Sequence, residues 1–271
     1  MNIQEIKNAI SNKDQVFGTL SVSMSPHFPA ALKNTALDFV FIDTEHIALN
    51  RETLSWMCQT YTAMNLAPIV RISSPDPYAA CQALDGGAAG VIAPYIETVE
   101  QVQALRGAIK LRPLKGKKLQ RILDGKDELC GELKKYLSEK NANNLFLVNI
   151  ESSPAIENLD AMLSVPDLDG TLIGPHDLSC SLGIPEQYEH PRFVEALRKI
   201  ITRTRQKGLI AGIHFFHGSA SLAAAWIRMG INFHIQNADI IYVAEGLKRD
   251  IQAIQKELGR NAASHSEQMI V

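Results

Sequence analysis

The sequence predicts a closed (β/α)8 barrel with one extra helix before the first strand and another after the last. Three observations predict it. Eight short apolar, β-branched runs alternate strictly with longer helical patterns. The runs are apolar almost throughout, as strands covered on both faces of a parallel sheet are. The length, 271 residues, is close to the roughly 250 typical of one such barrel. An open doubly wound sheet would alternate in the same way, but no G-x-G-x-x-G follows the first strand.

The N-terminal MNIQEIKNAISNKDQ is polar and amphipathic and supplies the extra first helix. Strands are expected near 17–22, 38–43, 68–72, 90–93, 145–150, 170–173, 209–214 and 231–236. Helical patterns fall near 27–36, 51–64, 76–86, 98–110, 126–141, 154–164, 191–207 and 218–229, with a last one over 239–258. Ser25, Asp76 and Ser153 each precede a proline and are the expected helix-capping side chains. Gly86, Gly87 and Gly208 mark helix ends. The stretch 111–126, LRPLKGKKLQRILDGK, is basic and proline-bounded and reads as a lengthened loop after the fourth strand. One domain over 1–258 is expected, with a polar tail at 259–271 that frays.

Composition sets outer bounds. A hydrophobic fraction of 46% and a formal net charge of −2 give a globular chain with no global field towards nucleic acid or membrane. No apolar run is long enough to span a bilayer, and the N-terminus lacks the apolar stretch of a secretion signal. Cys58, Cys81, Cys130 and Cys180 are scattered, with no C-x-x-C, so neither a zinc site nor a disulfide framework is expected, and the cytoplasm is the expected compartment.

Chemistry in such barrels collects at the C-terminal ends of strands. There the sequence places Asp43 with Glu45 and His46, then Arg71, Glu151, Asp177 in GPHD, and His214 with His217. Arg71, inside the apolar PIVRI, fits either a structural ion pair with a strand-end acid or a fork offered to a carboxylate or enolate oxygen. Glu151 and Asp177 fit either a pair of hard oxygen ligands for Mg²⁺ or Mn²⁺ or two unrelated loop acids. The Gly-Pro turn of GPHD can aim backbone N–H groups at an anion or be an ordinary strand-to-helix turn. His46 has a carboxylate three residues before it, which would make it a base near neutral pH if Asp43 held one ring nitrogen. His176 and His214 fit pocket lining better than any standard zinc pattern.

These residues stand in DFVFIDTEH (38–46), PIVRI with Asp76-Pro77, GAAGVIAPYIETVEQ (87–101), LFLVNIESSPAIENLD (145–160) and DGTLIGPHDLSCSLG (169–183). The set resembles the HpcH/HpaI family of class II pyruvate aldolases, over roughly residues 3–257. The resemblance implies metal-dependent aldol cleavage or condensation of a 4-hydroxy-2-oxo acid to pyruvate and an aldehyde. It implies Mg²⁺, Mn²⁺ or Co²⁺ held by Glu151 and Asp177 and chelated by pyruvate. Arg71 would hold the keto oxygen, and His46, oriented by Asp43, would move the proton. Backbone amides around Gly174, His176 and Asp177 would receive the pyruvate carboxylate, with His214 lining the pocket. A homo-oligomer, often a hexamer built from dimers, is also implied.

Residues 111–144 depart from the family pattern in a region that normally helps to cover the pocket. Asn149, His176 and His214 also stand where other residues are usual. A related oxo-acid or CoA-ester lyase, the latter using the basic run 115–126, and a non-catalytic oxo-acid-binding barrel are the competing expectations. Lys115, Lys117 and Lys118 fall in the expected loop rather than in a strand, which disfavours a Schiff-base lysine.

Overall fold

A computed structural model describes residues 1–216 and 218–260. Eight strands form a closed all-parallel barrel in chain order: β1 Val16–Leu20, β2 Phe39–Asp43, β3 Ala67–Arg71, β4 Gly90–Ala93, β5 Leu145–Ile150, β6 Gly170–Ile173, β7 Ile210–Phe215 and β8 Phe233–Ala238. β1 closes the ring by pairing with β8, with a register irregularity between Gly18 and Leu20. Each expected strand is present, displaced by at most two residues at either end.

The helices are α1 Ile3–Ser11, α2 Phe28–Leu32, α3 Arg51–Ala63, α4 Pro77–Asp85, α5 Val99–Lys110, α6 Gly116–Leu123, α7 Gly131–Lys140, α8 Ser153–Glu157, α9 Leu159–Met162, α10 Pro175–Ser181, α11 Pro191–Gln206, α12 Ala220–Arg228 and α13 Asp239–Glu257. Asp76 caps α4 through the Tyr78 N–H, as expected. Two expected caps move. Ser152, not Ser153, caps α8, because Pro154 occupies the second helical position rather than the first. Ser25 accepts from the His27 N–H within a turn, and α2 begins only at Phe28 with no side-chain cap.

The stretch read as a loop contains α6. Its apolar Leu119, Ile122 and Leu123 are spaced for one helical face, and Leu119 and Leu123 pack on Gly107 of α5. Lys115, Lys117 and Lys118 therefore sit at a helix start, still outside every strand. The tail after residue 260 and His217 lie outside the described residues.

Strand parity divides the core in two. Val40, Ile42, Val70, Val91, Val148 and Ile213 face the surrounding helices. Phe39, Phe41, Ile69, Leu147, Leu172 and Phe233 fill the barrel. Gly18 makes room for this filling, since a Cβ there would stand 2.3 Å from the Phe39 ring, which stacks on Phe233 at 4.1 Å. Ile3, Ile6 and Ile10 of α1 join the interior cluster and close the end where strands begin. A capping box between Asn2 and Glu5 starts this helix.

At that closed end Asp169 pairs with Lys7 at 2.9 Å and Lys110 at 2.6 Å. The segment carrying α6 and α7 packs here too: Asn141 donates to the carbonyls of Lys110 and Arg112. The same inward parity that fills the barrel brings Asp43, Arg71, Asn149 and His214 to its opposite, open end. No helix among the described residues is long and apolar enough to cross a membrane.

Candidate active site

Parallel pairing sets Asp43 of β2 directly beside Arg71 of β3. Their side chains meet as a two-pronged pair, with Arg71 Nε donating to Asp43 Oδ1 at 2.8 Å and Nη2 to Oδ2 at 2.7 Å. Arg71 is 8% exposed and Asp43 2%. Burial alone would raise the Asp43 carboxyl, but the guanidinium holds it below its ordinary value. Burial alone would lower Arg71, and Asp43 more than compensates.

Asp43 also accepts from the backbone N–H groups of Glu45 at 2.9 Å and His46 at 3.3 Å. Its side chain thus folds the DTEH turn and fixes Arg71 together. The expected contact between Asp43 and the His46 ring is replaced: the carboxylate nearest that ring is Glu45, with Oε2 at 3.6 Å from Nε2. The physical reason is the strand register, which gives both Asp43 oxygens to the neighbouring guanidinium.

Glu45 Oε2 also lies 3.1 Å from Arg71 Nε, and the Glu45 side chain is 7% exposed. Burial pushes its carboxyl up to about 6. Arg71 opposes that rise, and Asp43 and Asp177 add to it. His46 is half exposed and lines a cavity of about 500 Å³ together with Arg71, Gly174, His176, Asp177 and His214.

Glu151 follows β5 and is buried. Its Oε1 accepts from the Tyr95 backbone N–H at 2.9 Å, and Oε2 from Asn149 Nδ2 at 2.9 Å. Tyr95 reaches it from a left-handed backbone, φ 49°, a conformation non-glycine residues adopt seldom. Burial pushes the Glu151 carboxyl up to about 7; its two hydrogen bonds and Arg71 oppose this, and Asp177 reinforces it.

Asp177 stands in the first turn of α10, which opens at Gly174. A Cβ on Gly174 would stand 2.6 Å from Glu151 Oε2 and 3.6 Å from Asp177 Oδ2. The two carboxylates therefore face one small space kept open by the missing side chain. The N–H groups of His176 and Asp177, in the first helical turn, have no intrahelical partner.

That space suits a hard divalent cation. Its donors are carboxylate oxygens, a cation would relieve the proton-retaining burial of Glu151, and Asn149 Oδ1 beside it is buried without a partner. Among the described residues no group of three or more His, Cys, Asp or Glu converges as a metal cage. Two protein carboxylates with other positions left for water and substrate is the Mg²⁺-like arrangement.

The two histidines differ in kind. His214 is buried, 5.2 Å from the Phe41 ring and 4.0 Å from the Phe216 ring, with Nε2 3.3 Å from the Asn237 carbonyl. Burial, helped by Arg71, pushes its pKa down to about 3, so the ring is neutral. His176 is exposed, with Nδ1 3.7 Å from Glu186. The sequence left Glu45 open between a group supporting the site and a solvent-facing acid, and did not single out Tyr95. The signal for Glu45 was its place between Asp43 and His46; Tyr95 acts through its backbone, which no residue type announces.

A family model described as HpcH/HpaI aldolase/citrate lyase matches residues 19–239. A 2-keto-3-deoxy-L-rhamnonate aldolase of Salmonella gallinarum is 29% identical over 241 residues, covering 89% of each chain. An HpcH/HpaI aldolase from Desulfitobacterium hafniense DCB-2 superposes with a TM-score of 0.79 at 24% identity, over 94% of this chain and 98% of that one. Citrate synthase SbnG does so with a TM-score of 0.76 at 26% identity, over 93% and 98%. The family match spans most of the barrel and both rims of the cavity: this chain is an enzyme of the carbon–carbon lyase class and belongs to the HpcH/HpaI aldolase/citrate lyase family.

Proposed function

We propose that the chain cleaves a 4-hydroxy-2-oxo acid to pyruvate and an aldehyde, and runs the reverse condensation, with a divalent cation held by Glu151 and Asp177. The observation that carries this reading is the space at Gly174, where two carboxylates converge beside a cavity lined by Arg71 and His46. The 2-keto-3-deoxy acid in the name of the Salmonella relative is a 2-oxo acid of the kind this site suits.

Cleavage breaks the bond between C3 and C4 of the substrate. A base takes the 4-hydroxyl proton, the aldehyde departs, and the electron pair is left on C3 in conjugation with the 2-keto group. A bound divalent cation supplies Lewis-acid polarisation of the 2-oxo acid. Arg71 is pre-set for the charge that develops: Asp43 takes Nε and Nη2, which leaves Nη1 for a substrate oxygen. One such preorganised donor is worth about 3–4 kcal/mol in the transition state. His46, at the cavity and half exposed, accepts the hydroxyl proton, directly or through a water, and returns a proton to C3. The unused first-turn N–H groups of His176 and Asp177 receive the substrate carboxylate. The neutral ring of His214 fills the wall without adding charge.

The CoA-ester alternative rested on the basic run 115–126 as a groove for phosphates. The run 115–126 lies on α6 and the turn after it, by the closed end of the barrel, and none of its residues lines this cavity. Deuterium exchange at C3 of pyruvate, followed by proton NMR with Mn²⁺, Mg²⁺ or chelator, tests the proposal. Exchange that needs the cation is expected. Absence of exchange with every divalent ion tried would overturn it.

A further inference from the structure

We propose that Glu45 is the positioning residue for His46: its carboxylate accepts the ring Nε2–H and so presents Nδ1 as the atom that takes and returns the proton. The assignment rests on the proton-transfer role proposed for His46. It replaces the expected Asp43–His46 pair with a different partner.

Asp43 has no capacity left. Each of its oxygens already accepts one Arg71 N–H and one backbone N–H of the DTEH turn. Glu45 is in the opposite condition. Its Oε2 is shut off from solvent and has no hydrogen-bond partner, although buried carboxylate oxygens are almost always hydrogen-bonded. Arg71 Nε is near, at 3.1 Å, but its single N–H points to Asp43, so that contact is electrostatic only.

The group left to satisfy Oε2 is the His46 ring, with Nε2 3.6 Å away. That is longer than a hydrogen bond, but the ring is half exposed and free to close a gap of several tenths of an ångström as substrate enters. A neutral imidazole that donates from one nitrogen accepts at the other. Holding Nε2–H therefore fixes which nitrogen is the base.

The surroundings keep this carboxylate available. Arg71 from β3, Asp43 from β2, the adjacent His46 and Asp177 from α10 are the charged or titratable groups that face Glu45. Burial with the two neighbouring acids pushes its carboxyl up to about 6, so it is ionised, and an acceptor only, at neutral pH.

The test uses the full-length protein with ¹⁵N-labelled histidine, and the variants E45Q and E45D. The His46 ring signals are assigned by their loss in H46Q. In wild type at pH 8 the ring is expected as the Nε2–H tautomer. E45Q should move it to a mixture, and E45D should restore it. Cation-dependent exchange at pyruvate C3 should fall about 10–100-fold in kcat in E45Q, with KM changed less than about twofold and partial recovery in E45D.

An unchanged His46 tautomer in E45Q would overturn the assignment. Because the ring signals are read without substrate, they decide the role of Glu45 even if wild type fails to exchange pyruvate protons, an outcome that would overturn only the proposed reaction.

Discussion

Asp43→Asn separates two roles that one carboxylate could play. The substitution keeps the shape of the side chain and replaces one oxygen by an NH₂. Oδ1 accepts from Arg71 Nε and the Glu45 N–H, and Oδ2 from Arg71 Nη2 and the His46 N–H. Whichever way the amide turns, its NH₂ meets one guanidinium donor and one backbone donor. The guanidinium, 8% exposed, also loses its nearest counter-charge. Breaking a buried pair in this way costs about 3–5 kcal/mol. Glu45, 3.1 Å from Arg71 Nε, remains and sets the expected loss near the lower end.

For a chain of this size that loss corresponds to a Tm lower by roughly 6–12 °C, read by circular dichroism. The pH dependence carries the sign. The folded Asp43 carboxyl is held below its ordinary value, so its contribution is complete above the unfolded pKa of about 3.9. It is lost only as pH falls through the lower folded value. The gap between wild type and D43N should therefore stay level from pH 8 to pH 5. A stabilisation carried by an Asp43–imidazolium pair would instead fade as pH rises through the range where histidines ordinarily deprotonate. A Tm change under about 2 °C, or a gap that closes between pH 5 and pH 8, would refute the structural role given to Asp43.

Three further outcomes are expected. Gly174→Ala puts a Cβ 2.6 Å from Glu151 Oε2, so Mn²⁺ affinity measured by calorimetry should fall on the order of 10–100-fold; an unchanged affinity would place the cation elsewhere. Glu45→Gln should stabilise the fold above pH 6: the folded carboxyl sits at about 6, above its ordinary 4.5, so ionised Glu45 costs stability as pH rises from about 4.5 through about 6. The gain at pH 8 is at most about 2 kcal/mol, and a wild-type stability that rises with pH over that interval would contradict it. Helix α13 exposes Val243, Leu247, Ile251 and Ile254 at helical spacing, so self-association is expected. The double variant L247E/I251E should shift the light-scattering mass downwards, whereas an unchanged mass would show that this face is not the contact.

Legibility in the sequence followed the physics of each feature. The strands were readable because a barrel strand is covered on both faces, so β2, β3 and β5 are apolar almost residue by residue. The gathering of Asp43, Arg71, Glu151 and Asp177 at one end was readable because strand ends are collected by topology, whatever their distance along the chain. The partner of Asp43 was not readable. It depends on the register that sets Asp43 beside Arg71, and no spacing within DTEH encodes that. Helix α6 was hidden by its lysines and flanking proline, although Leu119, Ile122 and Leu123 carry the spacing. Ser152 and Ser153 differ as caps only by where Pro154 falls in the first turn.

The segment 111–144 braces the plugged base of the barrel beside Lys7, Lys110 and Asp169, and none of its residues lines the cavity. Divergence there can accumulate without touching which aldehyde is made or consumed. Substrate choice would be rewritten from the other rim, where His176, Tyr188, Phe216 and Leu222 border the opening, and a graft or tag inserted between α6 and α7 would leave the chemistry alone.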